Sequence, residues 1–454
     1  MVEGALANPT GVWAISRRTW TIAALSLAAF GGCGSEAVRT PEPAARPQRA
    51  ALAPVVVPPD VAKAYAARGH RPIWVDAQGV RPEGKALLHR LATADVEGLD
   101  PAAYRLAEIQ SAIAAGPGDR AAMAHADLLL SRAYATYLSD LHRPVRTLRY
   151  IDEGIAPEPA DVPAALAGAK PGQAARLNPL YEALRSAAVQ WRAAHPQPGA
   201  RDTALIRANL ERARAIPVHP GRYIIVDTGS ARLWMVDGDK VEGPMRVIVG
   251  KPNMQTPAIA GLLRFVTLNP YWNVPPDLAG ERAKRVLKEG TGFLARERIE
   301  VLSDWGDSPR VMKFAQVNWR AGAAGKVKLR MRQLPGGANV MGAVKFMMPN
   351  ELGIYLHDFP EKSLFARSTR NISSGCVRVS DAPRLAAWLF NGAAPRPRGN
   401  APEQRVDLPE PVPVYLTYLT MLPAKGGGLV FGPDPYKRDP AALAAINASS
   451  RPRA

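Results

Sequence analysis

The chain has 454 residues, a formal net charge of +18 and 47% hydrophobic residues, a length that predicts two or three globular domains. The positive charge suits an anionic partner such as nucleic acid, a membrane or an acidic polymer, although a basic proteome with solvated arginines explains it equally well. The sequence has no Walker loop, zinc-ligand spacing or RNA-binding signature, and its arginines are scattered, so nucleic acid is not expected as a partner.

Residues 1–33 have the features of an export signal. Two arginines precede an apolar run, residues 22–30, that is too short to span a bilayer as an ordinary helix. The small residues that end at Cys33 resemble a bacterial lipobox, although Phe30 stands where leucine is usual. We therefore expect Cys33 to be lipidated, with ordinary signal cleavage or an uncleaved anchor as the alternatives. Residues 34–59 are rich in proline and alanine and predict a flexible tether.

Residues 60–216 show the periodicity of helices. Apolar side chains recur on one helical face at Leu130, Tyr134, Tyr137, Leu138 and Leu141, and again at Leu177, Leu180, Leu184, Ala188 and Trp191. This part of the chain is therefore predicted to be a helical domain. Its acidic and histidine side chains are irregularly spaced and are better explained as solvated helix ends than as metal ligands: Asp76, His89, Glu97 and Asp100.

Residues 217–424 change to strand-like patterns. Short β-prone runs occur at residues 223–226, 233–236, 245–249, 262–268 and 412–420. Asp237 and Gly238 form a hairpin signal between the second and third runs. Several short strands with few helices predict a small β-rich sandwich or barrel-like domain.

Residues 276–335 interrupt the strands with a polar, glycine-rich segment in which residues 281–288 look helical. A long insertion ahead of a catalytic strand suits a lid over the site, and a static subdomain is the alternative. After Thr420 the chain becomes rich in alanine and arginine, and residues 425–454 are expected to form a tail that frays.

The chemistry-bearing stretch runs from Tyr355 to Val379 and contains His357 and Cys376. It predicts a strand that ends at His357, a tight turn up to Cys376, a second strand at residues 377–379 and a helix capped by Asp381. An imidazole close to a thiol can take its proton, leave a thiolate–imidazolium pair and later protonate a leaving amine. Gly375 lets the backbone approach a substrate, and the amides of Gly375 and Cys376 are candidate oxyanion donors. A buried structural cysteine is the alternative.

The segments from Tyr355 to Asp358 and from Ser373 to Val379 resemble the L,D-transpeptidase catalytic domain of the YkuD type, in which a histidine precedes an S-x-G-C-x-R motif. The resemblance implies Cys376 as the acyl-accepting nucleophile and His357 as its base. It also implies site-shaping or oxyanion roles for Gly375, Ser374, Arg378 and Asp358. Many members have histidine at the position of Ser374, but the base is carried by the upstream histidine.

Segments outside the catalytic motif extend the resemblance over nearly the whole mature chain. Residues 65–76, 97–104 and 126–131 resemble the scaffold region of the larger, YcbB-like members, and Gly250–Lys251 with Thr256–Pro257 resemble the catalytic domain. The small peptidoglycan-binding insertion of those members has no room between Trp191 and the linker helix near residues 206–212. The predicted fold class is α+β and multidomain: a helical scaffold at 60–216, then a mostly β catalytic domain at 217–424 with an inserted lid.

The resemblance implies an enzyme of the cell envelope or periplasm that forms 3→3 cross-links in peptidoglycan by cysteine acyl transfer from a tetrapeptide stem. Stem-peptide carboxylates suit a basic protein. Tyr355, Tyr271 and Trp272 are candidates for lining the peptide groove, although Tyr271 and Trp272 suit a core equally well. The family also implies reaction with carbapenem-type inhibitors and no cofactor. A non-catalytic wall-tethering protein, an L,D-carboxypeptidase and a lipoprotein-attaching enzyme remain alternatives.

Overall fold

The computed structural model of the chain describes residues 55–449, apart from residue 117, residues 144–146, residues 169–174 and residue 220. The predicted export signal with Cys33, and most of the predicted tether, lie outside the described residues. Within the described part of the chain, no helix has the length and apolar character needed to cross a membrane.

The N-terminal part is helical, as predicted. Its helices are α1 (Pro59–Ala67), α2 (Pro82–Ala92), α3 (Leu106–Ala115), α4 (Arg120–Leu141), α5 (Val162–Ala167), α6 (Pro179–Ala194) and α7 (Ala200–Arg214). Three two-residue strands accompany them: β1 (Val75–Asp76), β2 (Gly79–Val80) and β3 (Arg149–Tyr150). Residues 195–199 alone join α6 to α7, which agrees with the predicted lack of an insertion at this point.

Helix α4 is the centre of the helical domain. Asp119 caps its first turn by accepting the N–H groups of Ala121 and Ala122. The five apolar side chains that defined its predicted face are all buried: Leu130, Tyr134, Tyr137, Leu138 and Leu141. Burial of each such side chain stabilises the fold by about 1.5–3 kcal/mol, which makes α4 the main packing surface for the neighbouring helices.

Asp127 on α4 joins the segments 65–76 and 126–131, which the sequence singled out. Its buried carboxylate accepts the backbone N–H groups of Ile73 at 3.0 Å and Trp74 at 2.6 Å. It also accepts the hydroxyl of Tyr65. The carboxylate therefore holds the chain after α1 against α4 and has a structural role.

The four side chains considered as metal ligands are not gathered around one point. Glu97 is buried and accepts the hydroxyls of Tyr137 and Tyr181, so it is a hydrogen-bonded core carboxylate and not a solvated one. Asp100 caps a 3-10 turn by accepting the N–H of Ala102. No cluster of three or more metal-ligating side chains occurs among the described residues.

The C-terminal part is mostly β. Its strands are β4 (Arg222–Asp227), β5 (Arg232–Asp237), β6 (Lys240–Gly250), β7 (Ile259–Leu268), β8 (Trp272–Val274), β9 (Ile299–Leu302), β10 (Arg330–Gln333), β11 (Val344–Met347), β12 (Leu356–His357), β13 (Asn371–Ser373), β14 (Val377–Val379), β15 (Gln404–Thr417), β16 (Met421–Pro423) and β17 (Leu429–Phe431). Its helices are α8 (Pro276–Glu289), α9 (Gly292–Arg296), α10 (Trp319–Ala323), α11 (Ala382–Leu389) and α12 (Asp439–Ser449). The helical domain followed by a mostly β domain confirms the predicted fold class.

The main sheet closes on itself. Its strands are hydrogen-bonded in the order β11-β12-β14-β6-β5-β4-β15-β7, and β7 also pairs with β11. Closure leaves an interior filled by apolar side chains such as Ile224, Leu233 and Phe346. Of the sandwich and the barrel-like domain that the sequence predicted, the structure shows the barrel-like one. Strand β3 of the helical part adds to β7 through Arg149 and Tyr150, so backbone hydrogen bonds join the two parts.

The insertion folds as a subdomain of its own. Strands β8, β10 and β9 form a three-stranded antiparallel sheet, and α8 and α10 pack beside it. Its core includes Ala279, Ala283, Phe293 and Met331. The predicted helix is present and longer than expected, since α8 spans Pro276–Glu289. The segment is a folded unit instead of a loose loop, and the lid function stays a prediction.

The expectation that the chain frays after Thr420 is wrong for the described residues. Strands β16 and β17 pair as a hairpin, and α12 follows them. Tyr436 is 4% exposed and stacks on Tyr418 with ring centroids 5.3 Å apart. Long-range packing of this kind leaves no periodic signal in an alanine- and glycine-rich segment.

Candidate active site

His357 and Cys376 lie on two neighbouring parallel strands. In the pairing of β12 with β14, Leu356 is opposite Val377 and His357 is opposite Arg378. Side chains alternate between the two faces of a strand, so Cys376, one residue before β14, shares a face with His357 and Arg378. The fold therefore places the two residues on which the predicted chemistry depends on one face of the sheet.

The turn before Cys376 is held by its own polar groups. Gly375 has φ +116°, a conformation that L side chains rarely adopt. Its N–H donates to Ser373 Oγ at 3.2 Å, and Ser373 Oγ donates to the Cys376 carbonyl at 2.7 Å. Among the described residues the Cys376 N–H has no hydrogen-bond acceptor. Of the two candidate oxyanion donors, the Gly375 N–H is thus already engaged and the Cys376 N–H is free.

The Cys376 thiol is partly buried. Its Sγ lies 3.6 Å from the Gly353 carbonyl oxygen, and Tyr355, whose hydroxyl lies 3.5 Å from Met341 Sδ, is close enough to the thiol to affect its pKa. Burial raises the pKa of the Cys376 thiol, while hydrogen bonds from Tyr355 and the charge of Arg378 oppose that rise. At neutral pH the resting group is therefore the protonated thiol.

His357 is 2% exposed, and its Nδ1 lies 2.5 Å from the Asp358 carbonyl oxygen. Because a carbonyl can only accept, Nδ1 carries the proton and Nε2 keeps its lone pair. Burial, together with the nearby positive charge of Arg378, lowers the pKa of His357 to about 3. The resting pair is thus a thiol with a neutral imidazole, and the expected thiolate–imidazolium pair is not the resting state.

Asp358 turns its carboxylate away from the thiol. One oxygen accepts Lys362 Nζ at 2.7 Å and the other accepts the Ala343 N–H at 3.0 Å. Burial would raise the pKa of Asp358, but the hydrogen bond from Lys362 and those from backbone N–H groups outweigh it and lower the pKa. Asp358 accepts the His357 Nδ1–H through its backbone carbonyl, and its carboxylate acts on the imidazole only through its charge.

Arg378 and Ser374 differ in their surroundings. The Arg378 guanidinium lies over the Phe359 ring, 4.1 Å from its centroid, and its buried Nε has no hydrogen-bond partner among the described residues. Ser374 is exposed at the tip of the turn. The charge of Arg378 acts on the thiol, Ser374 precedes Cys376 by two residues, and their predicted roles stay predictions.

The two aromatic candidates ahead of the insertion are separated by burial. Trp272 is 8% exposed and belongs to the core of the insertion, with the Arg282 guanidinium 4.6 Å from its ring centroid. Trp272 is therefore a core side chain, which is the alternative to its predicted place in the peptide groove. Tyr271 is half-buried beneath Arg332, which lies 4.3 Å from its ring centroid. Tyr355 packs against the insertion core and contacts the thiol, so it joins the insertion to the site.

Two parts of the site were not identified from the sequence. The Gly353 carbonyl lies beside the thiol, and no residue pattern marks a backbone oxygen. Phe359 supports Arg378, and the alternation of side chains along the strand from Tyr355 through His357 would have placed Phe359 on the same face.

Two family models match the two parts of this chain. Residues 59–193 match the model of a scaffold domain, and residues 221–406 match the model of the YkuD L,D-transpeptidase catalytic domain. A protein of Haemophilus influenzae with the provisional name L,D-transpeptidase is 32% identical over 244 residues, 52% of this chain and 48% of that protein. The chain thus spans about half of the length of this curated relative.

Two solved structures show weaker likeness. An L,D-transpeptidase from Mycobacterium smegmatis is 13% identical with a TM-score of 0.21, and an L,D-transpeptidase in complex with imipenem is 13% identical with a TM-score of 0.20. Each match covers 43% of this chain and 58% of the other. TM-scores this low do not establish a shared fold. The two family models nevertheless cover the helical and the β parts: the chain has a scaffold domain at residues 59–193 and a catalytic domain of the YkuD L,D-transpeptidase family at residues 221–406.

Proposed function

We propose that this chain is a peptidoglycan L,D-transpeptidase that transfers an acyl group through Cys376. The observation that carries the proposal is the shared strand face of the Cys376 thiol and the neutral His357 imidazole, next to a free Cys376 N–H. A thiol, a base with an available lone pair and an oxyanion donor are the three groups that acyl transfer requires.

The first half-reaction forms a thioester. Sγ attacks the donor carbonyl carbon while His357 Nε2 takes the thiol proton, and the Cys376 N–H faces the developing oxyanion. The intermediate then collapses, the C–N bond breaks, and the imidazolium protonates the departing amine. A positioned base of this kind contributes roughly 10²- to 10⁴-fold to the rate.

The second half-reaction consumes the thioester. An acceptor amine attacks the thioester carbonyl, His357 takes a proton from that amine, and the same proton returns to the sulfur as the C–S bond breaks. The family supports a donor tetrapeptide stem that loses its terminal D-alanine and an acceptor amine on a second stem, which gives a 3→3 cross-link. Water or a lipoprotein amine as acceptor would give a carboxypeptidase or a lipoprotein-attaching enzyme.

Mass spectrometry of purified protein incubated with disaccharide-tetrapeptide tests the proposal. A dimer of mass two tetrapeptides minus one D-alanine supports transpeptidation. A tripeptide with free D-alanine and no dimer would identify a carboxypeptidase. If the protein binds the substrate and leaves it unchanged, the proposed enzyme is contradicted and the non-catalytic wall-tethering protein is supported.

Reaction with carbapenems follows from the same chemistry. The strained β-lactam carbonyl is an acyl donor to the thiol, and the resemblance to the family supports such inhibitors. We expect the mature protein to gain the mass of one carbapenem, located at Cys376. A protein that stays unmodified after long incubation would contradict the proposed nucleophile.

For localisation, we propose attachment to the cell envelope, facing the periplasm, through a lipid on Cys33. The motif that ends at Cys33 supports this, together with the substrate, which lies outside the cytoplasm. Metabolic labelling with palmitate should mark the wild type and not Cys33→Ala. A mature N-terminus at any other residue would refute the anchor and leave the enzyme unaffected.

A further inference from the structure

The turn that carries Cys376 is tied to the loop after β6 by the Lys251 N–H, which donates to the Ser373 carbonyl at 2.9 Å, and by a buried hydroxyl. Thr256 is 0% exposed, and its Oγ1 donates to the Gly375 carbonyl at 2.6 Å. The same Oγ1 accepts the Gly250 N–H at 2.9 Å. The hydroxyl therefore accepts one hydrogen bond and donates one. Its proton points to the Gly375 carbonyl because the Gly250 N–H can only donate.

That hydrogen bond fixes the orientation of a second group. The Gly375 carbonyl and the Cys376 N–H belong to one planar trans peptide, so the two groups point in opposite directions. When Thr256 holds the carbonyl on one side of the turn, the Cys376 N–H must face the other. This N–H is the free donor beside the thiol, in the place where the oxyanion of an attacked carbonyl needs a hydrogen bond.

The loop that carries Thr256 is held in turn by the C-terminal segment. The Tyr436 hydroxyl donates to the Gly250 carbonyl at 2.6 Å. Arg438 Nη2 donates to the Thr256 carbonyl at 2.9 Å and to Gln255 Oε1 at 2.9 Å. Gly250 permits this packing because a Cβ there would lie 2.2 Å from the Met254 carbonyl oxygen.

The C-terminal segment is itself anchored to both domains. Asp434 accepts the N–H groups of Arg438 at 2.9 Å and Asp439 at 3.0 Å. Asp439 accepts Arg212 Nη1 at 2.6 Å, and Arg212 lies on α7, the helix that joins the helical part to the β part. A continuous set of hydrogen bonds thus runs from α7 to the turn of Cys376.

We propose that Thr256 is a positioning residue for acyl transfer, which sets the direction of the Cys376 N–H, and that Tyr436 and Arg438 hold Thr256 in place. This rests on the proposed acyl-transfer chemistry but not on peptidoglycan as the substrate. The C-terminal segment, which lies beyond the residues matched by the catalytic-domain model, is then part of the support of the active site.

The test compares two reactions of the same thiol in the full chain. With p-nitrophenyl acetate, Sγ bonds to the acetyl carbon through an oxyanion and p-nitrophenolate leaves. With iodoacetamide, Sγ displaces iodide and no oxyanion forms. The ratio of the two rates reports the oxyanion donor, because changes in thiol access or thiol pKa affect both reactions.

Thr256→Val keeps the shape of the side chain and removes the hydroxyl. We expect the ratio of acylation to alkylation to fall by about tenfold or more, since loss of an oxyanion donor costs about 10²–10³-fold. Thr256→Ser keeps the hydroxyl and should restore the ratio. Tyr436→Phe should lower the ratio by less, because it acts through Gly250 and Thr256.

Tyr415→Phe is the matched control, since it removes a buried tyrosine hydroxyl that donates to the Ile155 carbonyl, outside the turn. Its ratio should equal that of the wild type. A wild-type ratio in Thr256→Val, or equal losses in Thr256→Val and Thr256→Ser, would overturn the proposal. Failure of the peptidoglycan function is seen separately, as a wild type that reacts with the ester but releases no D-alanine from disaccharide-tetrapeptide.

Discussion

His357 donates from Nδ1 to the backbone carbonyl oxygen of Asp358 at 2.5 Å, and not to a carboxylate. A carbonyl oxygen fixes the tautomer and the direction of the ring as a carboxylate would. It adds no negative charge, so it does not stabilise an imidazolium to the same degree. The base is therefore oriented by the chain itself, and the Asp358 side chain is left to pair with Lys362.

The first prediction concerns the Asp358 carboxylate. Asp358→Asn should keep D-alanine release within about threefold of the wild type, because the group that orients His357 is unchanged. An aspartate that orients a catalytic histidine through its carboxylate loses about 10⁴-fold in kcat on the same replacement. A fall of that size, measured on a folded variant, would show that the side chain takes part in catalysis.

The second prediction concerns the dependence of the rate on pH. With the pKa of His357 lowered to about 3 and the pKa of Cys376 raised, the thiol and neutral imidazole coexist over a wide range. We expect kcat/KM for D-alanine release to be level from about pH 5 to about pH 8. An acid limb with a midpoint near 6.5, the pKa of an unperturbed imidazole, would contradict the neutral resting pair.

The third prediction concerns stability. Below pH 6.5 the unfolded chain binds a proton at His357 that the folded protein, with a pKa of about 3 at this group, does not bind. The free energy of unfolding therefore has its full value, as far as His357 is concerned, above pH 6.5. It decreases as pH falls toward 3, by up to about 1.4 kcal/mol per pH unit.

The measurement is urea unfolding of the wild type and His357→Gln at pH 7 and pH 5. The glutamine variant should lose less stability between the two pH values. Buried carboxyl groups with raised pKa, such as Asp227, act in the opposite sense and cancel in the difference. Parallel losses in the two proteins would mean that His357 titrates normally in the folded state.

Much of the site could be predicted from the sequence, because its residues lie within one local pattern. The strand to His357, the turn at Gly375 and the helix capped by Asp381 all depend on neighbours in the chain. The protonation state could not be predicted in this way. It depends on burial and on the charge of Arg378, which strand pairing alone brings opposite His357.

The same distinction holds for the fold. The strand at residues 223–226 and the buried face of α4 were correct because β-branched runs and helical spacing are local signals. The prediction for the C-terminal segment was wrong, because the structure of this segment depends on Tyr436 stacking on Tyr418 and on Asp439 pairing with Arg212. The hydrogen bond from Thr256 to Gly375 likewise joins two segments that no periodicity relates.

The fourth prediction concerns the insertion as a lid over the thioester, which would exclude water in favour of an amine acceptor. Because the insertion shares its sheet and core with β8, the two should move as one rigid unit about the segments that flank them, residues 269–271 and 334–338. Hydrogen exchange should show β9 protected throughout, and faster exchange at residues 336–338 that slows once Cys376 is acylated. Identical exchange of the free and acylated proteins would support a static subdomain.

The central claim, that Cys376 carries the acyl group, is tested most directly by intact-protein mass spectrometry during turnover of disaccharide-tetrapeptide. The account predicts that the wild type shows a transient adduct of the donor minus D-alanine, mapped to Cys376. It also predicts that Cys376→Ala shows neither the adduct nor D-alanine release while its circular dichroism and melting temperature stay close to those of the wild type. Full D-alanine release by Cys376→Ala, or an adduct on any other residue, would contradict it.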